Sequence, residues 1–374
     1  MSFLPSTHTA LVQATRTCPL SLEILPTPQP TLGSAIIVIH YAPVLSYSKD
    51  ILNGTRPYPY PTPLVPGFSA IGRIAALGPD ATALSISQLV LIDGVVRSRD
   101  NPGDLFLLGV TEGATSGSKK LMKEVWRNGT YAEYAIVPLE NVVSLNEERL
   151  IKGLGYKEQE LADLGKYLVP FGGLRDIGLQ VGETVVVAPA TGAFGGGAVA
   201  VAVAMGARVV AMGRNEDALE RLVKQFGEEK VKTVKITDDV GKDTAALKEA
   251  AGGLIDAVFE ILPPMAAKSQ VLRSTIMALK HGGRVSLMGG IMEDYAIPLR
   301  VVMRNNIALK GKWMYERSDI VHLIRMVETG ILKIGEKGGV KIAGEFEFAE
   351  WEEAFETASK EAGWDKFVVM KPVV

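Results

Sequence analysis

The sequence predicts an α/β protein of two parts, a β-rich domain and a doubly wound parallel-sheet domain. Three observations carry this. The chain has 374 residues, more than one hydrophobic core usually holds. Its first part reads as β-branched runs separated by Gly and Pro turns. From about Lys166 the texture changes, and short apolar runs alternate with helical stretches, as in a parallel sheet buried by crossover helices.

In the first part, Ala35 to Tyr41 fits a buried strand, and Leu84 to Asp93 and Tyr131 to Val137 read as two more. Tyr58 to Pro66 is studded with prolines and must be an extended loop, because proline lacks the donor that a sheet or helix interior needs. Gly94 to Trp126 is polar and aperiodic, either a surface lobe or a flexible loop. In the second part the strand candidates are Val185–Ala188, Val209–Met212, Ala257–Ile261 and Val285–Met288. Ala218 to Leu222 and Ser269 to Leu279 are helical candidates between them. Phe348 to Ala358 reads as an amphipathic helix, and Lys366 to Val369 as a last strand.

Composition narrows the function. Lys+Arg is 40 and Asp+Glu is 42, a net charge of −2, so neither nucleic acid nor an anionic membrane is expected as a partner. The apolar runs fall short of a membrane span, and Met1 to Cys18 lacks the layout of a signal peptide, so the cytosol is the expected compartment. The single cysteine, Cys18, can build neither an internal disulfide nor a thiolate metal cage.

The strand Val185–Ala188 runs into Pro189-Ala190-Thr191-Gly192-Ala193-Phe194-Gly195, then an Ala/Val stretch, then the next strand. Strand, tight glycine turn, helix and strand is the layout of a dinucleotide-binding unit. Gly192 lets the backbone approach a pyrophosphate, Gly195 lets the helix pack close, and the free N–H groups near Ala193 and Phe194 face the phosphates. Thr191 belongs to the same turn. The usual first glycine is Ala190 here. Ala198 to Ala204 alternates like a strand, yet two parallel strands need a crossover between them, so a helix is expected. The second strand ends Gly213-Arg214-Asn215, with a guanidinium where a carboxylate would bind the ribose hydroxyls of NAD. Arginine can hold a 2′-phosphate, so NADPH is the expected cofactor. Gly289 and Gly290, just past the strand Val285–Met288, complete the cofactor candidates.

Several stretches, in the right order, resemble the medium-chain dehydrogenase/reductase superfamily. Leu64-Val65-Pro66-Gly67-Phe68-Ser69 looks like its Val-Pro-Gly-His-Glu loop, and Asn128-Gly129-Thr130-Tyr131-Ala132-Glu133-Tyr134 like its Gly-Gly-Phe-Ala-Glu-Tyr segment. Gly206-Ala207-Arg208-Val209-Val210 and Gly282-Gly283-Arg284-Val285 resemble its cofactor domain. The resemblance implies a GroES-like catalytic domain over 1–165, a Rossmann domain over 166–313, and a return to the catalytic domain over 314–374. The departures matter as much. Phe68 and Ser69 stand where zinc-dependent members have His and Glu, and Tyr47 or its neighbours stand where they have Cys. The histidines, His8, His40, His281 and His322, show no ligand spacing. No metal is expected, and the chain looks like the zinc-independent quinone-oxidoreductase or enoyl-reductase branch.

Without a metal, a developing negative charge must be met by hydrogen-bond donors. That favours reduction of a carbonyl-conjugated double bond or a quinone, where the charge spreads over an enolate. A ketone or aldehyde reductase and a non-catalytic NADPH-binding protein remain open. Tyr47 is the expected donor, with Ser46 and Lys49 as weaker candidates and Asp50 as an anchor of the next turn. Phe68, Trp313 and Tyr315 are expected to border the pocket of a small-molecule substrate. Gly311 to Tyr315 is expected to begin as the last strand of the nucleotide sheet. By resemblance, that edge pairs with its copy in a homodimer.

Overall fold

The run Ile36-Ile37-Val38-Ile39 has no polar face, so it needs cover on both sides. In the computed structural model, which describes residues 4–16 and 18–373, that run is the middle of strand β3 (Ser34–Val44), and Ile36, Ile37 and Ile39 are buried. Part of the Met1–Cys18 stretch therefore lies outside the described residues. β3 follows the antiparallel pair β1 (Thr7–Val12) and β2 (Ser21–Pro26). After it come β4 (Ala70–Leu77), β5 (Leu89–Ile92), β6 (Val95–Arg97), β7 (Leu105–Leu107), β8 (Tyr134–Pro138) and β9 (Val142–Ser144). Helices in this part are short: α1 (Ser48–Leu52), α2 (Ser116–Glu124) and α3 (Glu158–Leu161).

Two sequence expectations contract here. The strand expected over Leu84–Asp93 is only β5, because Ser87 turns with φ 67°. Of Tyr131–Val137, only the part from Tyr134 is β8; Tyr131 instead accepts the Leu11 N–H at 2.9 Å. The aperiodic Gly94–Trp126 stretch is an ordered lobe. β6 and β7 form a hairpin, Thr115 and Ser118 close a capping box on α2, and Phe106, Leu108 and Met122 are fully buried.

The second unit begins at Lys166, inside helix α4 (Leu164–Asp176). Its strands are β10 (Thr184–Ala188), β11 (Arg208–Gly213), β12 (Val231–Lys235), β13 (Ile255–Glu260), β14 (Leu279–Leu287) and β15 (Ala308–Gly311). They lie all parallel in the order β12-β11-β10-β13-β14-β15, so the strand order reverses between β10 and β13. The crossovers are α5 (Ala193–Ala204), α6 (Glu216–Phe226), α7 (Val240–Ala251), α8 (Val271–Ala278) and α9 (Leu299–Arg304). The alternating Ala/Val stretch is helical, as parallel β10 and β11 require. Val186, Val210, Val234, Val258 and Val285, one from each of five strands, pack one face of the sheet against Leu247, Val271 and Ile276 of the helices.

The return to the first unit comes at Lys341, not at 314 as expected from sequence. α10 (Arg317–Glu328) stays with the second unit because it buries Ile320, Leu323, Ile324 and Val327, and Asp319 pairs with Arg175 of α4 at 2.7 Å. The first unit is completed by β16 (Lys341–Glu347), α11 (Trp351–Lys360) and β17 (Lys366–Lys371). β17 pairs with β3, giving a sheet β16-β17-β3-β4-β5-β9, and β8 also pairs with β3, on the edge opposite β4. Residues 363–365 belong to the second unit, where Trp364 is buried and donates to Ala218 O at 3.1 Å.

Candidate active site

The glycine-rich turn leaves β10 at Ala188 and enters α5 at Ala193, at the carboxyl ends of the strands and at the point where their order reverses. The Ala190 N–H donates to Met212 O at 2.8 Å and ties the turn to β11. Two glycines of the turn have different physical reasons. A Cβ at Gly195 would lie 2.0 Å from the Pro189 carbonyl oxygen, so only glycine lets the helix sit this close. A Cβ at Gly192 would meet nothing within 4 Å. Gly192 is the N-cap of α5, and the N–H groups of Ala193, Phe194 and Gly195 start the helix without helical acceptors. Aligned donors beside open space fit the pyrophosphate of a dinucleotide. Thr191, half-buried, lies against Gly213, where a Cβ would come within 2.6 Å of its methyl group.

At the tip of β11, Arg214 is exposed and its guanidinium pairs with Asp238 at 3.0 Å. Asp238, with φ 59°, also accepts from Ser269 Oγ at 2.7 Å and from the Gln270 N–H at 3.0 Å. Burial would raise its carboxyl, but the hydrogen bonds from Ser269 and Arg214 outweigh that and hold it below the usual range. Lys235, in register with Gly213, pairs with Glu216 at 2.5 Å. Asn215 caps α6, its Oδ1 accepting the Ala218 N–H at 3.0 Å. The strand tip thus carries two cations, each with a carboxylate alongside.

Beyond β13 and β14, one side chain laces two loops together. Glu260 is buried; its Oε1 accepts the Leu262 N–H at 2.5 Å and its Oε2 accepts the Gly289 N–H at 3.2 Å. A Cβ at Gly289 would lie 2.2 Å from Glu260 Oε1. The Gly290 N–H donates to Leu262 O at 2.9 Å. Burial raises the Glu260 carboxyl above its usual range against the pull of these backbone donors.

In the first unit, a small, mostly apolar cavity is lined by Leu45, Ser48, Ile51, Phe68, Val110 and Tyr131 among others. Ser46 and Tyr47 lie in the turn between two lining residues, Leu45 and Ser48, and are half-buried. Tyr47 starts α1, and the Arg56 guanidinium sits 3.9 Å from its ring centroid. Burial pushes the Tyr47 hydroxyl well up, more than Arg56 pulls it down. Ser69, beside Phe68, is buried and spends its hydroxyl on Ile92 O at 2.7 Å. Tyr131 gives its hydroxyl to Pro43 O at 3.1 Å. Lys49 pairs with Glu356. The two pocket candidates of the second unit fare differently. Trp313 is exposed beyond the end of β15, whereas Tyr315 is buried against Gly172 of α4, in the interior of that unit. Among the described residues, no three His, Cys, Asp or Glu side chains gather as a metal site.

Residues 32–147 match the alcohol dehydrogenase GroES-like domain, and residues 193–329 match the zinc-binding dehydrogenase domain, together well over half of the chain. The chain belongs to the medium-chain dehydrogenase/reductase superfamily. It is an oxidoreductase of that superfamily, with a GroES-like domain and a Rossmann-like domain. An L-threonine 3-dehydrogenase of Saccharopolyspora erythraea is 26% identical, over 93% of this chain and 95% of its own. In fold, the chain resembles a crotonyl-CoA carboxylase/reductase (TM-score 0.80, 13% identity, 99% of this chain and 89% of that one). It also resembles a short-chain alcohol dehydrogenase from Escherichia coli solved with NADH (TM-score 0.78, 17% identity, 98% of this chain and all of that one). Among the described residues no helix is long and apolar enough to cross a membrane.

Sequence reasoning missed three residues. Asp238 escaped it because it lies 24 positions from Arg214. Glu260 is legible as the carboxylate that ends β13 at the middle of the sheet, but the sequence pattern shows only its place in the strand. Arg56 lies just before the extended proline- and tyrosine-rich loop, where nothing local marks it.

Proposed function

We propose that this chain is a zinc-independent, NADPH-dependent reductase of a small organic substrate, acting on a carbonyl-conjugated double bond or a quinone. The observation that carries the reading is the side-chain set in place of a metal site: Tyr47, Phe68 and a Ser69 whose hydroxyl is already bonded. NADPH, when bound, supplies the hydride. The turn Thr191–Gly195 holds its pyrophosphate, while Gly213, Arg214 and Asn215 meet the phosphorylated ribose. Gly289 and Gly290, braced by Glu260, form a further wall of the cofactor site. Tyr47 stays protonated and donates to the substrate oxygen, and Phe68 keeps water from one side. The exposed edge strand β15, with Leu299, Met303 and Trp313 exposed nearby, supports pairing with a second copy.

The name of the L-threonine 3-dehydrogenase relative favours a second reading, interconversion of a ketone and an alcohol. A panel of enones, quinones and simple ketones, run with NADPH and with NADH, with and without chelator, separates the two. Enone or quinone turnover that survives chelator is expected. Ketone turnover alone favours the second reading, and loss of activity in chelator refutes the zinc-independent one. Tight NADPH binding with no turnover across the panel would point instead to a non-catalytic binding protein.

A further inference from the structure

Several arginines in this protein face a carboxylate, among them Arg73 with Glu147, Arg99 with Glu140, Arg175 with Asp319, Arg221 with Asp365 and Arg284 with Glu183. Arg16 and Arg56 do not; neither has an ion-pair partner among the described residues, and each lies over a tyrosine ring. The Arg56 guanidinium lies 3.9 Å from the Tyr47 ring centroid and 5.0 Å from that of Tyr58, and its Nε is buried with no hydrogen-bond acceptor. Arg16 sits 4.0 Å from the Tyr60 centroid and donates from Nη1 to Tyr58 O at 3.0 Å. The two cations therefore meet at Tyr58.

Their support is built from buried polar contacts. Gln13 is buried; its Nε2 donates to Leu52 O at 2.9 Å and Cys18 O at 3.0 Å, and its Oε1 accepts from the Tyr60 hydroxyl at 2.7 Å. The Arg56 N–H donates to Asp50 O at 2.7 Å, and Gln13 and Leu64 bond through their backbones in both directions. The nearby carboxylate of Glu112 faces Lys119 instead, at 3.9 Å. A guanidinium carries five N–H donors in its plane, and a ring face satisfies none of them in that plane. The tyrosines hold both cations in place and leave donors available, an arrangement suited to a carboxylate, which arginine binds through two parallel bonds.

We infer that Arg56, assisted by Arg16, is a subsite for a substrate carboxylate next to Tyr47, so that the reducible compound is an anionic, unsaturated oxo acid. This rests on the proposed reductase reading. In the reaction the C=C double bond becomes a single bond: one carbon gains a hydride from NADPH, the other gains a proton from solvent, and NADP⁺ is released.

The test compares 3-benzoylacrylate with its methyl ester, which share the conjugated ketone and differ in one charge. With wild-type protein and NADPH, the acid is expected to exceed the ester in kcat/KM by roughly ten- to a hundredfold, mostly through KM. Arg56→Gln and, independently, Arg16→Gln are expected to lower that acid-to-ester ratio about tenfold or more, with Arg56→Lys between. Arg16 does not touch Tyr47, so its variant guards against a disturbed donor. A wild-type ratio near one, or a ratio unchanged in Arg56→Gln, overturns the inference. So does a variant that weakens NADPH in direct titration while keeping the ratio, because the anion would then be a cofactor phosphate. If neither compound is reduced, the reductase reading fails by itself. Calorimetry with the saturated, unreactive 3-benzoylpropanoate then decides: binding lost in Arg56→Gln supports the subsite, and no binding to wild type overturns it.

Discussion

Gly192 and Gly195 stand three residues apart in one turn, and alanine at each should do opposite things. At Gly195 the new Cβ would sit 2.0 Å from the Pro189 oxygen. Ordinary contact is about 3.5 Å, so α5 must retreat from β10 by roughly 1.5 Å. Overpacking of this kind typically costs about 1–3 kcal/mol. For a unit of this size each kcal/mol moves Tm by about 2–4 °C, so Gly195→Ala should lower Tm by roughly 2–12 °C. At Gly192 the backbone is extended (φ −85°, ψ 172°), a conformation alanine adopts freely, and the space is open. Only a weaker helix cap is lost, about 1 kcal/mol at most. The methyl group would instead stand where a pyrophosphate must approach the N–H groups of Ala193 and Phe194. Losing one charge-assisted bond there costs about 1.5–3 kcal/mol, at least tenfold in Kd. Scanning calorimetry without cofactor, paired with NADPH titration, reads both effects. If Gly192→Ala binds NADPH within twofold of wild type, the turn is not the phosphate cradle. If Gly195→Ala melts with wild type, the packing reason for that glycine is wrong.

Arg214→Ala should weaken NADPH by roughly ten- to a hundredfold in direct titration and leave NADH nearly unchanged; a wild type that prefers NADH would refute this. Asp238→Asn should tighten NADPH relative to NADH, because it frees Arg214 from its partner. Glu260→Gln tests burial of a carboxylate: with the folded pKa raised, the unfolded chain releases its proton first, so Glu260 costs stability as pH rises above the ordinary carboxylate range. The variant's Tm relative to wild type should therefore climb from pH 4 to pH 8, and a constant difference would refute it. Tyr47→Phe should lower kcat by about 10²–10⁴-fold if the hydroxyl donates in the rate-limiting step, and an unchanged kcat would remove it from the chemistry. Light scattering should give twice the chain mass, with Met303→Lys near the β15 edge shifting the protein toward monomer; a wild-type monomer would refute edge pairing.

The doubly wound sheet was legible chiefly from β10 and β11, whose valine runs are each followed closely by a glycine. Val185 to Ala188 could be placed from four residues and the turn after them. β12 was not legible: Val231-Lys232-Thr233-Val234-Lys235 is an edge strand with exposed lysines, and its pattern is too polar to separate from a loop. The ordered lobe at 94–126 was hidden because its buried residues come from three short segments, none long enough to show a period. The late return at Lys341 follows from Asp319, whose ion pair with Arg175 spans 144 positions. Site residues followed the same division. Gly192 and Gly195 belong to a local turn and could be read, whereas Asp238, Glu260 and Arg56 act through partners that folding brings near.

The proposed role of Tyr47 as hydrogen-bond donor is supported by where several neighbouring hydroxyls go. Ser69 occupies a position that holds a metal ligand in zinc-dependent relatives, but its hydroxyl is committed to Ile92 O. The Thr130 hydroxyl is committed to Ser69 O at 2.9 Å, and that of Tyr131 to Pro43 O. Lys49 is exposed and held by Glu356. The hydroxyl of Tyr47 has no partner among the described residues, and burial keeps it protonated far above neutral pH. A neutral, unspent donor beside a guanidinium with no ion pair supports the proposed metal-free reading. The tyrosine can meet negative charge growing on the substrate oxygen, and Arg56 adds positive potential without giving up a proton of its own. A metal would supply both effects at one atom; under the proposed reading, a ring and a guanidinium 3.9 Å apart would supply them together.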